Sequence, residues 1–258
     1  MTAAPIRVTD LAEQLLAANP GPMTLDGTNS YVLAAPGSVP TVVVDPGPSI
    51  PAHLDGLAAR PVDLILVTHR HADHTQACAE LAARTGAPVR AADPAFCIDA
   101  PPLAPGERIV AAGVTIEVVA TPGHTSDSTC FLLADDEGGR GSVLTGDTVL
   151  GRGTTILDHP DGRLGDYLAS LHRLAALGPR VVLPAHGPVR LDLAAAAGEY
   201  LAHREERLQQ IRAAVRVLGD DASVDAVTSL VYADVDRSVR TAAERSVAAQ
   251  LVYLRETD

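Results

Sequence analysis

Asp63-Leu64-Ile65-Leu66-Val67-Thr68-His69-Arg70-His71-Ala72-Asp73-His74 is the stretch on which the reading of this chain turns. Its opening part is apolar after Asp63 and reads as a buried strand. Three histidines and an aspartate follow at once, where that strand should end and before a helix can start near Thr75. On extended backbone His69 and His71, two apart, point the same way. Asp73 and His74 fall on the turn into the helix and face a second point in space. One short loop can therefore address two metal ions.

Working outward, three more apolar runs end in the same manner. Residues 114–120 lead into Thr121-Pro122-Gly123-His124, residues 142–144 into Thr145-Gly146-Asp147, and residues 180–183 into Pro184-Ala185-His186-Gly187. Each presents a His or Asp just past a strand, beside a Gly or Pro turn, where sites on a rigid sheet are commonly built. Imidazole and carboxylate ligands suit borderline divalent metals, zinc first, with iron or manganese possible. His69, His71 and His124 can hold one ion, and Asp73, His74 and His186 the other. Asp147 has the two oxygens needed to bridge them. A water shared by two such ions becomes hydroxide near neutral pH, which is hydrolysis without a protein nucleophile. Asp73 and Asp147 are accordingly the candidate catalytic residues.

Further strands are expected at 30–34, 41–44 and 129–133, and helices at 51–59, 75–85 and 165–177. Strands interleaved with helices predict an α/β layered domain over residues 1–192. After Asp192 the texture changes: residues 193–218 read as a long amphipathic helix, followed by helical patterns at 223–232 and 239–255, with Ser223 an N-cap. Residues 193–258 are thus expected to be a small helical extension whose removal leaves the metal ligands in place.

The 258 residues are 47% hydrophobic but only 3% aromatic, so the core must be built from Ala, Val, Leu and Ile. The net charge is −12, and every basic residue is Arg. That balance disfavours non-specific attraction to phosphate backbones or anionic membranes. Any anionic substrate group must be held by Arg, metal or backbone N–H. No stretch approaches the roughly 18 apolar residues of a membrane span. Three cysteines without paired spacing, Cys78, Cys97 and Cys130, fit a reducing cytoplasm.

The pattern His-x-His-x-Asp-His, with His124, Asp147 and His186, resembles the metallo-β-lactamase superfamily over about residues 20–190. The resemblance implies an αββα sandwich with a dinuclear site at one edge of two sheets. Asp45, in Val44-Asp45-Pro46-Gly47, matches that family's early Asp and is expected to orient the metal loop rather than ligate. The segments at 19–31 and 145–155 look more closely like the branch named for metallo-β-lactamase-like protein 2, whose members carry a winged-helix-like C-terminal extension. Some of that branch cleave single-stranded RNA, and others are relatives of the thioesterase glyoxalase II. Two departures stand out. Gln76 and Ala77 replace the usual Gly-Gly pair, and Asp147 stands where member β-lactamases have Cys or Ser, as in the esterase, thioesterase and nuclease branches.

The expected activity is hydrolysis of an ester- or thioester-like bond of a small molecule by two zinc ions. The alternatives are an endoribonuclease acting on single-stranded RNA and a metal-binding scaffold without turnover. Residues from 199 onward hold 8 Arg against 11 acidic residues, which counts against the nuclease. Arg70 and Arg152 could bind an anionic group, Arg163 reads as a surface residue, and His159 could carry protons at the site rim. His53, His172 and His203 read as surface or packing residues. The sequence leaves the oligomeric state open.

Overall fold

The computed structural model describes residues 5–233 and 239–257. The chain opens with β1 (Ile6–Arg7), β2 (Ala12–Leu16), β3 (Asn29–Leu33), β4 (Thr41–Val44), α1 (Pro51–Leu57) and β5 (Val62–Leu66). The metal-motif loop leads into α2 (Ala72–Thr75) and α3 (Cys78–Thr85), then β6 (Val89–Arg90), β7 (Arg108–Ala111), β8 (Val114–Ala120), β9 (Thr129–Leu133) and β10 (Ser142–Gly146). α4 (Leu164–Ala176) and β11 (Val181–Pro184) complete the layered part, and α5 (Leu193–Leu218), α6 (Val224–Val231) and α7 (Arg240–Thr257) follow.

Two sheets form, one ordered β1-β2-β3-β4-β5-β6 and the other β11-β10-β9-β8-β7. The side-chain period of two sorts each strand between two cores. Val42, Val44, Leu64 and Leu66 face Ile116, Val118, Phe131 and Leu144 of the other sheet. Their neighbours Val43, Ile65 and Val67 point outward onto Leu54, Leu57 and Leu81 of α1 and α3. On the far side, Cys130, Leu132, Val143 and Val182 pack against Leu171 of α4, Tyr200 and Ile211 of α5, and Val247 of α7. The order helix, sheet, sheet, helix is the expected αββα sandwich. Strands buried on both faces read as unbroken apolar runs, which is why the central ones were legible.

The strands not anticipated are short or lie towards the edge. β6 has two residues and β7 exposes Val110 at 75% while burying Ile109. β2 sets Glu13 beside Gln14 and so carries no clean alternation. The helix expected at 75–85 is interrupted: α2 ends before Gln76, and α3 starts after Ala77, whose amide donates to the carbonyl of Gly47. α5 begins at Leu193, with the Asp192 carboxylate accepting from Ala195 N. α5, α6 and α7 pack on one another, α5 and α7 also pack on α4, and among the described residues no strand accompanies them. No helix among those residues is long and apolar enough to cross a membrane.

The two sheets are tied at one edge. Thr28 bridges to His186, Asn29 N donates to the Ala185 carbonyl, and Asn29 Nδ2 donates to the carbonyls of Pro184 and Gly187. Thr129 N donates to the Thr68 carbonyl across the same edge. These bonds bring the ends of β5, β8, β10 and β11 together.

Candidate metal centre

All seven residues singled out as ligands meet at that edge, in two groups. His69, His71, His124 and Asp147 form one, and Asp73, His74 and His186 the other, with each group's ligand atoms within 4.8 Å of one another. In the first, His71 Nδ1 lies 3.0 Å from His69 Nε2 and 3.1 Å from His124 Nε2. Asp147 divides its oxygens. Oδ2 is 3.7 Å from His124 Nε2 and 4.0 Å from His69 Nε2, whereas Oδ1 is 3.3 Å from His186 Nε2 and 3.6 Å from His74 Nε2. Asp73 Oδ2 closes the second group, 3.2 Å from His186 Nε2 and 3.5 Å from His74 Nε2.

The outward nitrogen of every one of these imidazoles is occupied. His74 Nδ1 donates to Asp45 Oδ2 at 2.9 Å, His124 Nδ1 to the Ile156 carbonyl at 2.8 Å, and His186 Nδ1 to the Gly27 carbonyl at 3.0 Å. His71 Nε2 faces Asp158 Oδ2 at 3.1 Å. His69 Nδ1 lies 3.1 Å from Thr68 Oγ1, which itself donates to Asp45. Fixing the outer N–H aims the inner nitrogen of each ring at the centre, where a metal would take its lone pair. Asp45 does more than hold His74: its other oxygen accepts from Thr68 N at 2.8 Å, so one carboxylate locks the start of the metal loop.

The electrostatics follow from this crowding. Burial, then the neighbouring imidazoles, hold His69 well below the usual histidine range. Burial pushes His124 down to about 4 against the pull of Asp147. Burial also opposes charge on His74 and His186, but the surrounding carboxylates outweigh it, raising His74 well above its ordinary value and His186 to about 10. Asp73 and Asp147 are likewise penalised by burial yet end far below the carboxylate range, because His74 and His186 face them.

His74 Nε2, His186 Nε2 and Asp147 Oδ1 are buried with no hydrogen-bond partner. Each such atom costs about 1–3 kcal/mol if left unsatisfied. Divalent cations among these converging donors satisfy all three, and a His-and-carboxylate set is chemically suited to them. The residues fit the metal ions that the fold implies.

Other expected residues are placed differently. Arg70 is not in the wall of the cavity at these residues; its guanidinium is held by Asp158 at 2.5 Å and Asp161 at 3.1 Å, so it braces the carboxylate that faces His71. Arg152 does line the cavity over the metal residues, paired with Asp26, whereas Arg163 pairs with Glu256 away from it. His159 lines a separate cavity with Arg163 and Tyr253. In the same Asp158-His159-Pro160-Asp161 stretch it is Asp158 that reaches the metal residues; 87 positions separate it from His71, and no spacing in the sequence signals the contact. His53 is buried, with Nε2 2.8 Å from Ser30 Oγ.

A cavity of about 300 Å³ opens onto His71, Asp73, His124 and Asp147. Its walls come from the 22–25 loop, the 150–156 loop and, unexpectedly, α5 and α7. His203, read from the sequence as a surface or packing residue, lines it beside Arg204 and Arg207.

The fold and this clustering define a class, and comparison with known proteins agrees: residues 23–186 match the metallo-beta-lactamase superfamily, and the chain belongs to it. It is a metallo-hydrolase of that superfamily. Among relatives, "lactamase-like protein vrtG" of Penicillium aethiopicum is 34% identical over 88% of this chain and 75% of its own length. The "beta-lactamase-like protein 2 homolog" of Caenorhabditis elegans is 29% identical over 96% and 85%. Among solved structures, the metallo-beta-lactamase family protein TTHA1429 of Thermus thermophilus superposes with a TM-score of 0.77 at 25% identity, covering 95% of this chain and 93% of its own. A structure of TTHA1623 in a di-iron-bound form covers 74% and 98%, with TM-score 0.54 and 26% identity.

Proposed function

We propose that the chain is a dinuclear zinc hydrolase that cleaves an ester or thioester bond of a small molecule. The observation that carries this reading is the division of Asp147, one oxygen turned to each of two ligand groups. His69, His71 and His124 would hold one ion, Asp73, His74 and His186 the other, with Asp147 between them. A metal pair so held supplies Lewis acidity and an activated water near neutral pH. The chain's own residues do the rest. The outer hydrogen bonds of Asp45, Asp158 and the Ile156 and Gly27 carbonyls aim the imidazoles without rearrangement during reaction. Asp73 lines the cavity with 29% of its side chain exposed, so this carboxylate would face the substrate as well as hold an ion. The cavity's size suits a small substrate, at the low end of the roughly 300–1,000 Å³ typical of ligand pockets.

Residues 1–192 are proposed as the catalytic unit and 193–258 as a helical extension that shapes the substrate cavity. Three cysteines without paired spacing support a cytoplasmic setting. A net charge of −3 beyond residue 198 and few aromatic side chains weigh against single-stranded RNA as substrate.

The test is metal analysis of purified, zinc-supplemented protein, followed by ester, thioester and labelled RNA assays. Two zinc ions per chain and thioester or ester turnover abolished by Asp147→Ala is the expected result. Bound metal with no turnover of any probe would favour a scaffold. RNA cleavage that needs Asp147 and weakens as salt rises would make it a nuclease.

A further inference from the structure

Helix α5 brings three nitrogen-rich side chains, His203, Arg204 and Arg207, to the cavity wall. Arg204 is 2% exposed, and one of its terminal nitrogens donates to the Thr155 carbonyl. Its guanidinium lies over the Tyr167 ring, 5.1 Å from the centroid, and its Nε is buried with no hydrogen-bond partner. Arg207, one turn on and half-buried, stacks on Tyr232 at 4.5 Å and donates to Gln210 Oε1. His203 Nδ1 is buried and has no partner.

Among the described residues, neither Arg204 nor Arg207 pairs with a carboxylate. Arg70, Arg152, Arg163, Arg190, Arg240 and Arg245 do, while Arg140, Arg173 and Arg180 bond backbone carbonyls; among the described arginines it is Arg204 that is buried. The cavity's own carboxylates, Asp73 and Asp147, belong to the two ligand groups. A buried cation without a counter-charge is costly, and an incoming anion removes that cost. Beyond the bonds to Thr155 and Gln210, Arg204 keeps an unpartnered Nε–H and Arg207 its second terminal nitrogen, donors of the kind with which Arg binds carboxylate or phosphate. Met23, Leu25, Leu150 and Ile156 supply apolar wall between the charged groups.

We infer that His203, Arg204 and Arg207 form an anion-binding subsite within the metal-centre cavity. The substrate therefore carries an anionic oxygen group, carboxylate or phosphate monoester, joined through an apolar body to the bond that is cleaved. The substrate assignment rests on the hydrolase reading; the subsite itself does not.

Three probes sharing one apolar body separate the possibilities: 4-phenylbutyrate, 4-phenylbutyl phosphate and the neutral 4-phenylbutan-1-ol, each titrated calorimetrically into full-length protein, both metal-free and zinc-loaded. At least one anion should bind ten-fold or more tighter than the alcohol in metal-free protein, and whichever binds tighter names the group. Arg207→Gln should remove that preference with the circular dichroism spectrum unchanged, and Arg207→Lys should recover part of it. Equal binding of the alcohol, a preference seen only with zinc present, or a preference that survives Arg207→Gln would overturn the subsite. Intact anion preference in a protein that turns over no ester or thioester would retain the subsite and sink the hydrolase reading.

Discussion

Asp45 shows what a single side chain contributes. Its φ of 50° lies in the left-handed region, which a non-glycine residue adopts at a cost of about 1–3 kcal/mol. From there both oxygens reach the metal loop, one to Thr68 N and the other to Thr68 Oγ1 and His74 Nδ1. Asp45→Ala should therefore weaken zinc affinity by about 10–100-fold, the usual effect of removing a ligand's outer partner. Competition with a chelating dye measures it, and unchanged affinity would deny Asp45 that role. Protonation provides a second prediction at this scale. In chelator-treated protein His124 is depressed to about 4, so its contribution to stability is present above the unfolded value near 6.5 and is lost as pH falls through 4. His186 is raised to about 10, so its contribution is complete below 6.5 and is lost as pH rises through 10. The thermal midpoint of metal-free protein should peak between those limits. Zinc loading at pH 7 should release protons, since His74 and His186 hold theirs until metal displaces them.

At the scale of elements, four strands deliver ligands from their C-terminal ends, and the turns that follow are tightly specified. Gly146 ends β10 immediately before Asp147 at φ +51°, and a Cβ there would sit 2.7 Å from Thr68 Oγ1. Gly146→Ala should destabilise the protein by about 1–3 kcal/mol and lower zinc content, because the strain falls between two ligand loops. Gly198, inside α5, has nothing within 4 Å of its would-be Cβ. Gly198→Ala should instead stabilise by up to about 1 kcal/mol through helix propensity alone. Urea unfolding of the two variants tests both signs. The strand-end positions of His69, His124, Asp147 and His186 were legible because an apolar run followed by a Gly or Pro turn is a local signal. β7 was not: its short Arg108–Ala111 run is held by antiparallel pairing with β8, a contact its own residues do not encode.

Taken whole, the C-terminal helices are wired into the candidate metal centre. Arg245 of α7 donates to Asp158 Oδ1 at 2.6 Å, while Asp158 Oδ2 faces His71. Ser246 Oγ accepts from Leu157 N, and Arg204 holds the Thr155 carbonyl, next to the Ile156 carbonyl that orients His124. The extension, separable on sequence texture, shares a core with α4 and the outer face of the second sheet. Arg245→Ala should lower zinc affinity by up to about ten-fold with the fold intact. Its effect should be non-additive with Asp158→Asn in a double-mutant cycle, and full additivity would mean that the two do not communicate.

The sequence alone determined a layered α/β domain and seven candidate ligands at strand ends, because strand period, turn chemistry and ligand type are properties of short segments; the sandwich followed from the family resemblance of the motif. Only the tertiary structure decided which outer groups aim those ligands, that Arg70 braces Asp158, and that α5 and α7 close the cavity. Those contacts join residues tens of positions apart, and their partners are chosen by packing, which no local pattern records.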